Sequence, residues 1–126
     1  MFRISVILLF LGAMGTTALT QSSADPERKA GITVMRFLNT AEAAARSQSG
    51  KYVDLAELIN HRVMDGVRGE ITTDGSSVFY QGRQLRLLLS PDGLHYHAMV
   101  VPVESCGTAI FSDERGMIYT GKVLDC

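Results

Sequence analysis

The sequence has no cluster of basic residues, no low-complexity segment and no internal repeat. Its 126 residues carry 12 Lys and Arg against 13 Asp and Glu, and the formal net charge is −1. Because proteins bind the phosphate backbone of nucleic acids through clustered Lys and Arg, nucleic acid is not an expected partner. The same absence excludes a polybasic membrane patch. The composition is that of one ordinary folded domain.

Motifs that carry common enzyme chemistry are missing as well. The chain contains no Gly-x-Ser-x-Gly, no phosphate loop and no dinucleotide-binding fingerprint. No two carboxylates stand at a spacing that one helix or strand would align for acid–base catalysis. We therefore predict no catalytic residue and no cofactor, and we expect that the protein is not an enzyme.

The N-terminal residues have the pattern of an export signal. The short basic start MFR is followed by the apolar residues 4–14 and then by a small, polar segment that ends at Ala24. This pattern predicts a signal peptide at residues 1–24, a single domain at residues 25–126, and a secreted or periplasmic protein of bacterial type. The apolar run is shorter than the ~20 residues of a spanning helix. The alternative is an uncleaved segment that tethers the protein to the membrane.

Two cysteines, Cys106 and Cys126, stand late in the chain. Export would bring them into an oxidising compartment, where they would be able to pair. The alternative is two free thiols or a catalytic cysteine, although Cys106 has no base near it in sequence.

Residues 25–50 are predicted to form one long amphipathic helix. Asp25 suits the N-cap, Pro26 suits the first helical position, and Gly50 suits the end of the helix. Apolar side chains recur at three- and four-residue spacing and form one stripe: Ala30, Val34, Phe37, Leu38, Ala41, Ala44 and Ala45.

The opposite side of this helix is predicted to face solvent. It carries polar residues such as Asn39, and Glu42 and Arg46 have the i, i+4 spacing of a favourable ion pair. Ile32 and Met35 lie off the apolar stripe, and we interpret them as exposed or in contact with a partner.

A short helix and antiparallel strands are predicted for the rest of the chain. Asp54 and Glu57 form a capping-box pattern before the short helix. Alternation of apolar and polar residues around the turn SPDG predicts a hairpin at residues 84–103, and a second hairpin follows at residues 108–120. Residues 71–80 fit either short strands or an ordered loop. The predicted fold is α+β, with the long N-terminal helix packed on a small antiparallel sheet of about four strands.

The order of these elements resembles the globular part of type IV pilins and pseudopilins. The segments YVDLAELI, SPDG and CGTAIFSDERGMIYTG carry the resemblance, and FSDERGMIYTG resembles the F-x-[ST]-D-x-x-G-x-I hairpin of that family. The resemblance covers roughly residues 30–126. It implies a pilin-like fold, partners among pilus or secretion-system components, and a disulfide between Cys106 and Cys126. Unlike a prepilin, the chain separates its apolar segment from the long helix by the polar residues 21–26.

Three histidines are the main candidates for a metal site. His95 and His97 share one strand face at i, i+2 spacing, and His61 is a possible third ligand. Because the spacing places no third ligand beside the pair, we predict no metal. Asp113 and Glu114, in the last turn, are a candidate calcium site that the neighbouring arginine disfavours.

These observations are compatible with three functions. The first is a secreted, non-enzymatic, pilin-like domain that acts through protein–protein or surface interaction. The second is a membrane-tethered pseudopilin or minor pilin of a type II secretion or type IV pilus system. The third is a small secreted hydrolase or metal-binding protein that uses His95 and His97.

Overall fold

The computed structural model describes residues 24–60, 64–68, 71–74, 77–103 and 107–122. In this part of the chain three helices come first and six strands follow. The helices and strands are α1 (Ala24–Ser49), α2 (Leu55–Asn60), α3 (Asp65–Arg68), β1 (Ile71–Asp74), β2 (Ser77–Tyr80), β3 (Arg83–Leu89), β4 (Tyr96–Pro102), β5 (Thr108–Asp113) and β6 (Ile118–Lys122). The described chain is α+β.

The long helix α1 ends where the sequence predicts. Gly50 has a φ of 79°, a left-handed conformation that glycine adopts at no steric cost. Its N–H donates to the carbonyl oxygen of Arg46 at 2.8 Å, which satisfies one of the free carbonyls of the last turn. At the start of α2, Asp54 is the N-cap, because its Oδ1 accepts a hydrogen bond from the N–H of Glu57 at 2.9 Å.

The sheet has six strands, so the prediction of about four strands is wrong. All neighbours are antiparallel and follow the chain order from β1 to β6. The two additional strands are β1 and β2, which occupy the segment that fitted either strands or a loop. Each has only four residues, the shortest length over which alternation indicates a strand. Gln81 and Gly82 have φ values of 48° and 73°, the geometry of a two-residue hairpin turn that joins β2 to β3.

Helix α1 packs across one face of the sheet, against β4 and β5. The closest approach is at Gly31, where an added Cβ would lie 2.8 Å from Cγ1 of Ile110. A glycine here lets the helix backbone approach β5 more closely than any larger residue would. Within the described residues, no helix has the length and apolar character needed to span a bilayer.

The core lies between the helices and the sheet. Met35 is fully buried and Ile32 packs against the core, so neither lies on an exposed surface as the sequence suggested. The apolar stripe of α1 is therefore wider than predicted, because the helix rests on a broad sheet and not on a single neighbouring element. The largest fully buried apolar side chains come from α1, α2, the turn before α3, and the central strands: Val34, Met35, Leu38, Leu58, Met64, Val100 and Ile110.

Candidate protein-interaction face

The side chains on the two faces of the sheet differ in their burial. Along β4, Tyr96, Ala98 and Val100 point toward the helices and are buried. His97 and Met99 alternate with them and point to the other side, because successive side chains of a strand face opposite ways. Helix α1 packs on the side of Val100, because it contacts Ile110, the partner of Val100 in the β4–β5 ladder. We call the other side the open face.

Four side chains form a row across the open face. Arg86 of β3 lies opposite Met99 of β4. Phe111 of β5 lies between Met99 and Tyr119 of β6 in the strand register. Phe111 is 38% exposed and Tyr119 is 45% exposed. Four neighbouring strands thus present a continuous row of one basic, one thioether and two aromatic side chains, which we call the open-face row.

The strand next to Phe111 leaves room for its ring. A Cβ added to Gly121 would lie 3.5 Å from Cε2 of Phe111, so the ring lies over the bare backbone of β6. Gly121 pairs with Ala109, another small residue, in the β5–β6 ladder. The ring is therefore held close to the sheet while part of its surface faces solvent.

The basic end of the row is also held in place. Arg86 donates from Nε and Nη2 to Oε1 of Gln84, at 3.1 and 2.8 Å. Both donors are on the guanidinium group and the acceptor is a neutral amide, so this contact orients the positive charge without neutralising it.

A chain of hydrogen bonds supports the sheet from the helix side. The hydroxyl of Tyr96 donates to Oδ1 of Asn39 at 2.9 Å, and Nδ2 of Asn39 donates to Oγ of Ser112 at 2.8 Å. Ser112 in turn donates to the carbonyl oxygen of Met117 at 2.9 Å. Burial raises the pKa of Tyr96, which keeps its hydroxyl a donor. Asn39 thus binds the sheet, and its predicted place on the solvent side is wrong.

The predicted ion pair of Glu42 and Arg46 is replaced by two separate contacts. Glu42 is fully buried, and its Oε2 accepts a hydrogen bond from the N–H of Val53 at 3.1 Å. Arg46 donates to the hydroxyl of Tyr52 at 2.8 Å and lies 4.9 Å from the centre of that ring. The Tyr52 ring meets the Tyr96 ring edge-to-face at 4.8 Å. Together these contacts fix the segment between α1 and α2 on the sheet.

The histidine pair does not form a metal site with other described residues. Nδ1 of His95 lies 2.9 Å from Oε1 of Glu114, and this contact lowers the pKa of the carboxyl group. His97 lies opposite Asp113 in the register of β4 and β5. In the described ranges no group of three or more potential metal ligands occurs. The third predicted histidine, His61, lies outside the described residues.

The acidic residues at the end of β5 and in the turn that follows are paired with basic residues. Arg115 donates to Asp113 from its main-chain N–H at 3.0 Å and from its Nε at 2.9 Å. These bonds hold the pKa of Asp113 below its usual range. Asp113 is thus bound to Arg115 and Oε1 of Glu114 contacts His95, and among the described residues neither carboxylate belongs to a group of three or more potential metal ligands.

Sequence reasoning missed Glu42, although a signal was present. Glu42 is four residues after Leu38 and three before Ala45, so it falls within the buried stripe of α1. The open-face row has no comparable signal, because alternation alone does not say which face of a strand a helix will cover. Cys106 and Cys126 lie outside the described residues, as do residues 1–23 of the predicted signal peptide.

Comparisons of the chain with models of protein families, with curated proteins and with solved structures find no match.

Proposed function

We propose that the protein is an exported, non-enzymatic, pilin-like domain that acts by binding another protein. The observation that carries this proposal is the open-face row. Met99, Phe111 and Tyr119 stand side by side on three strands, and both aromatic rings are more than one third exposed. Contiguous apolar patches with aromatic residues are typical of protein–protein interfaces.

The energetics of the row favour a protein partner. Aromatic side chains supply much of the binding energy at interfaces, and full burial of one such residue is worth about 1.5–3 kcal/mol. Because Phe111 and Tyr119 are already partly covered, the gain on binding is about 1 kcal/mol for each ring. The ladders of β4, β5 and β6 hold the main chain of the row in place before binding, so little main-chain freedom is lost.

Export and the relation to type IV pilins and pseudopilins belong to the same proposal. They are supported by the sequence of residues 1–24 and by the segment FSDERGMIYTG, which runs from β5 through the turn into β6. On this proposal, the partners are pilus or secretion-system components.

Photo-crosslinking in the producing cell tests the proposal. A photo-reactive amino acid is placed at Tyr119 and, as a matched control, at Thr40 on the exposed side of α1. We expect the probe at Tyr119 to capture a specific protein that the probe at Thr40 does not capture. Equal capture at both positions, or none at Tyr119, would contradict the proposal.

The affinity of the purified pair gives the second measurement. Phe111→Ala is expected to weaken binding about fivefold, which corresponds to the loss of about 1 kcal/mol. Leu94→Ala is the control, because Leu94 is 40% exposed but lies in the β3–β4 turn. If Phe111→Ala binds as tightly as the control, the open-face row is not the interface.

A further inference from the structure

A second line of side chains lies beside the open-face row. Leu88 of β3 lies opposite His97 of β4, and His97 lies opposite Asp113 of β5. Met117 directly precedes β6 and lies on the same side, because the hydroxyl of Tyr119 contacts its Sδ at 3.8 Å. Leu88 is 58% exposed and Met117 is 49% exposed. We call this line, from Leu88 to Met117, the second row.

The open-face row is complementary to its own reverse. In order from β3 to β6, its side chains are Arg86, Met99, Phe111 and Tyr119. A two-fold axis that runs parallel to the strands, between β4 and β5, places the row of a second copy over the first in reverse order. Arg86 then faces Tyr119 of the second copy, and a guanidinium group over an aromatic ring is attracted to it. Met99 faces Phe111 of the second copy, and a thioether sulfur beside an aromatic ring is also favourable.

The second row is complementary to its reverse under the same axis. His97 faces Asp113 of the second copy, so that an imidazole N–H meets a carboxylate acceptor. Leu88 faces Met117 of the second copy, so that two exposed apolar side chains cover each other. One symmetry axis therefore gives suitable contacts along both rows.

The charge of Arg86 distinguishes this axis from the other two-fold axis that brings the open faces together. That other axis runs across the strands, along the open-face row, and places each side chain of the row over the same side chain of the second copy. Arg86 would then face Arg86, and two cations that face each other repel. The axis parallel to the strands separates these two charges and is the favoured arrangement.

The size of the open face fits a weak dimer. Four strands about 4.8 Å apart, the longest of them with seven residues of about 3.4 Å each, make a face of roughly 450 Å² in plan. Two copies therefore cover about 900 Å², less than the about 1,200 Å² of a standard interface and within the range of transient complexes. We expect a dimer that forms at high local concentration.

We propose that the open face binds the open face of a second copy of this chain, around a two-fold axis that runs parallel to the strands between β4 and β5. Two antiparallel sheets commonly pack face to face in this way, with strand directions within about 30° of each other. The inference rests on the proposed function, because it names the protein that the open-face row binds.

Sedimentation of the protein purified from its producing cell is the first test. We expect the mass to rise from that of one chain toward that of two between about 10 µM and about 1 mM. In the same preparation a photo-reactive amino acid at Tyr119 should give covalent dimers that are joined to β3, and a probe at Thr40 should give none. A mass of one chain at about 1 mM, or dimers joined to a segment other than β3, overturns the inference.

Two variants that complement each other test the contact between Arg86 and Tyr119. Alone, Arg86→Glu and Tyr119→Arg should each dimerise about tenfold more weakly, because each loses the cation–π contact twice. Mixed together they should form dimers again, since the new carboxylate at position 86 faces the new guanidinium at position 119. Arg36→Glu, on the exposed side of α1, is the control and should dimerise as the wild type does. A mixture that associates no more tightly than either variant alone overturns the inference.

Phe111→Ala gives an independent measurement, because the two-fold axis repeats its contact with Met99. Dimerisation should weaken about 25-fold, the square of the effect expected for one contact, and Leu94→Ala should leave it unchanged. Equal dimerisation of the two variants overturns the inference.

The probe at Tyr119 also distinguishes failure of this inference from failure of the proposed function. If the purified protein remains monomeric while the probe captures a different protein in the cell, the second copy is not the partner and the proposed function stands. If the probe captures neither, both fail.

Discussion

Oε2 of Glu42 accepts a hydrogen bond from the main-chain N–H of Val53 at 3.1 Å, while Oε1 of the same carboxyl group is buried and has no hydrogen-bond partner among the described residues. Glu42 stands in α1, and Val53 stands in the segment that leads into α2. The bond therefore ties the two helices together at a fully buried position. Because a buried carboxylate loses its hydration, burial raises the pKa of Glu42 to about 7, and the nearby charges of Asp54 and Glu57 act in the same direction.

The buried carboxyl group of Glu42 predicts that the free energy of unfolding falls as the pH rises from about 4.5 to about 7. Below the usual pKa of 4.5, Glu42 is protonated in the folded and the unfolded chain, and its contribution to stability is fully present. As the pH rises through 7 the folded protein has to bury a charge, and the contribution is lost. The loss is at most about 3 kcal/mol. Urea denaturation at several pH values in this range measures it.

Glu42→Gln is the variant that isolates this effect. The neutral amide keeps an acceptor for the N–H of Val53 but does not titrate, so the fall in stability over this pH range should largely disappear. Asp74→Asn, at an exposed position of β1, is the control and should keep the wild-type slope. If Glu42→Gln keeps the full slope, Glu42 is not its source.

Asn39 gives a second prediction, which concerns the attachment of α1 to the sheet. Asn39→Ala removes the bonds to Tyr96 and Ser112 and leaves both hydroxyl groups without that partner. We expect a loss of about 2–3 kcal/mol in the free energy of unfolding. Thr40→Ala is the control, because Thr40 is exposed and its hydroxyl donates within α1, to the carbonyl oxygen of Arg36. A loss as small as that of Thr40→Ala would contradict this role of Asn39.

The contacts of Asn39 and the burial of Glu42 show which parts of the fold can be predicted from sequence. The C-terminal end of α1 and the two later hairpins depend on local signals, such as Gly50 and the turn at residues 90–93, and these act within a few residues. The start of α1 differs from the prediction, because Asp25, the predicted N-cap, lies within the helix. The number of strands and the width of the buried stripe depend on how the helix meets the sheet. The spacing of Glu42 already places it within the stripe, whereas the hydrogen bonds of Asn39 depend on how the helix meets the sheet.

The open-face row, too, could be predicted only in part from the sequence. Met99 alternates with buried residues of β4, so the sequence alone indicates that it points to the opposite face. The alignment of Met99 with Phe111 and Tyr119 requires the register of three strands. That register comes from pairing between separate segments of the chain, which single-sequence periodicity does not contain.

Gly31 gives a third prediction, on the distance between α1 and β5. In an exposed helix, Gly→Ala is stabilising by about 1 kcal/mol. At Gly31, however, the new Cβ would lie 2.8 Å from Cγ1 of Ile110, so the helix or the side chain has to move. We expect Gly31→Ala to destabilise the protein by about 1–3 kcal/mol.

A double-mutant cycle identifies the contact responsible. Ile110→Ala removes the atom that the new Cβ would meet, so Gly31→Ala should cost less, or become stabilising, in that background. Thermal or urea denaturation of the four proteins measures the coupling. Strict additivity of the two changes would show that the strain does not arise between these residues.

The last prediction concerns Cys106 and Cys126 and the start of the mature chain. If the protein is exported and the two cysteines pair, the intact mass of the extracellular protein corresponds to a chain that begins at Asp25 and lacks two hydrogen atoms. Such a disulfide closes a loop of roughly 20 residues, and its reduction should cost about 3 kcal/mol of stability. The Cys106→Ser, Cys126→Ser double variant is the control, because a reductant should not change its stability. Two titratable thiols in the non-reduced protein would contradict the pairing, and a mass that includes residues 1–24 would favour the membrane-tethered alternative.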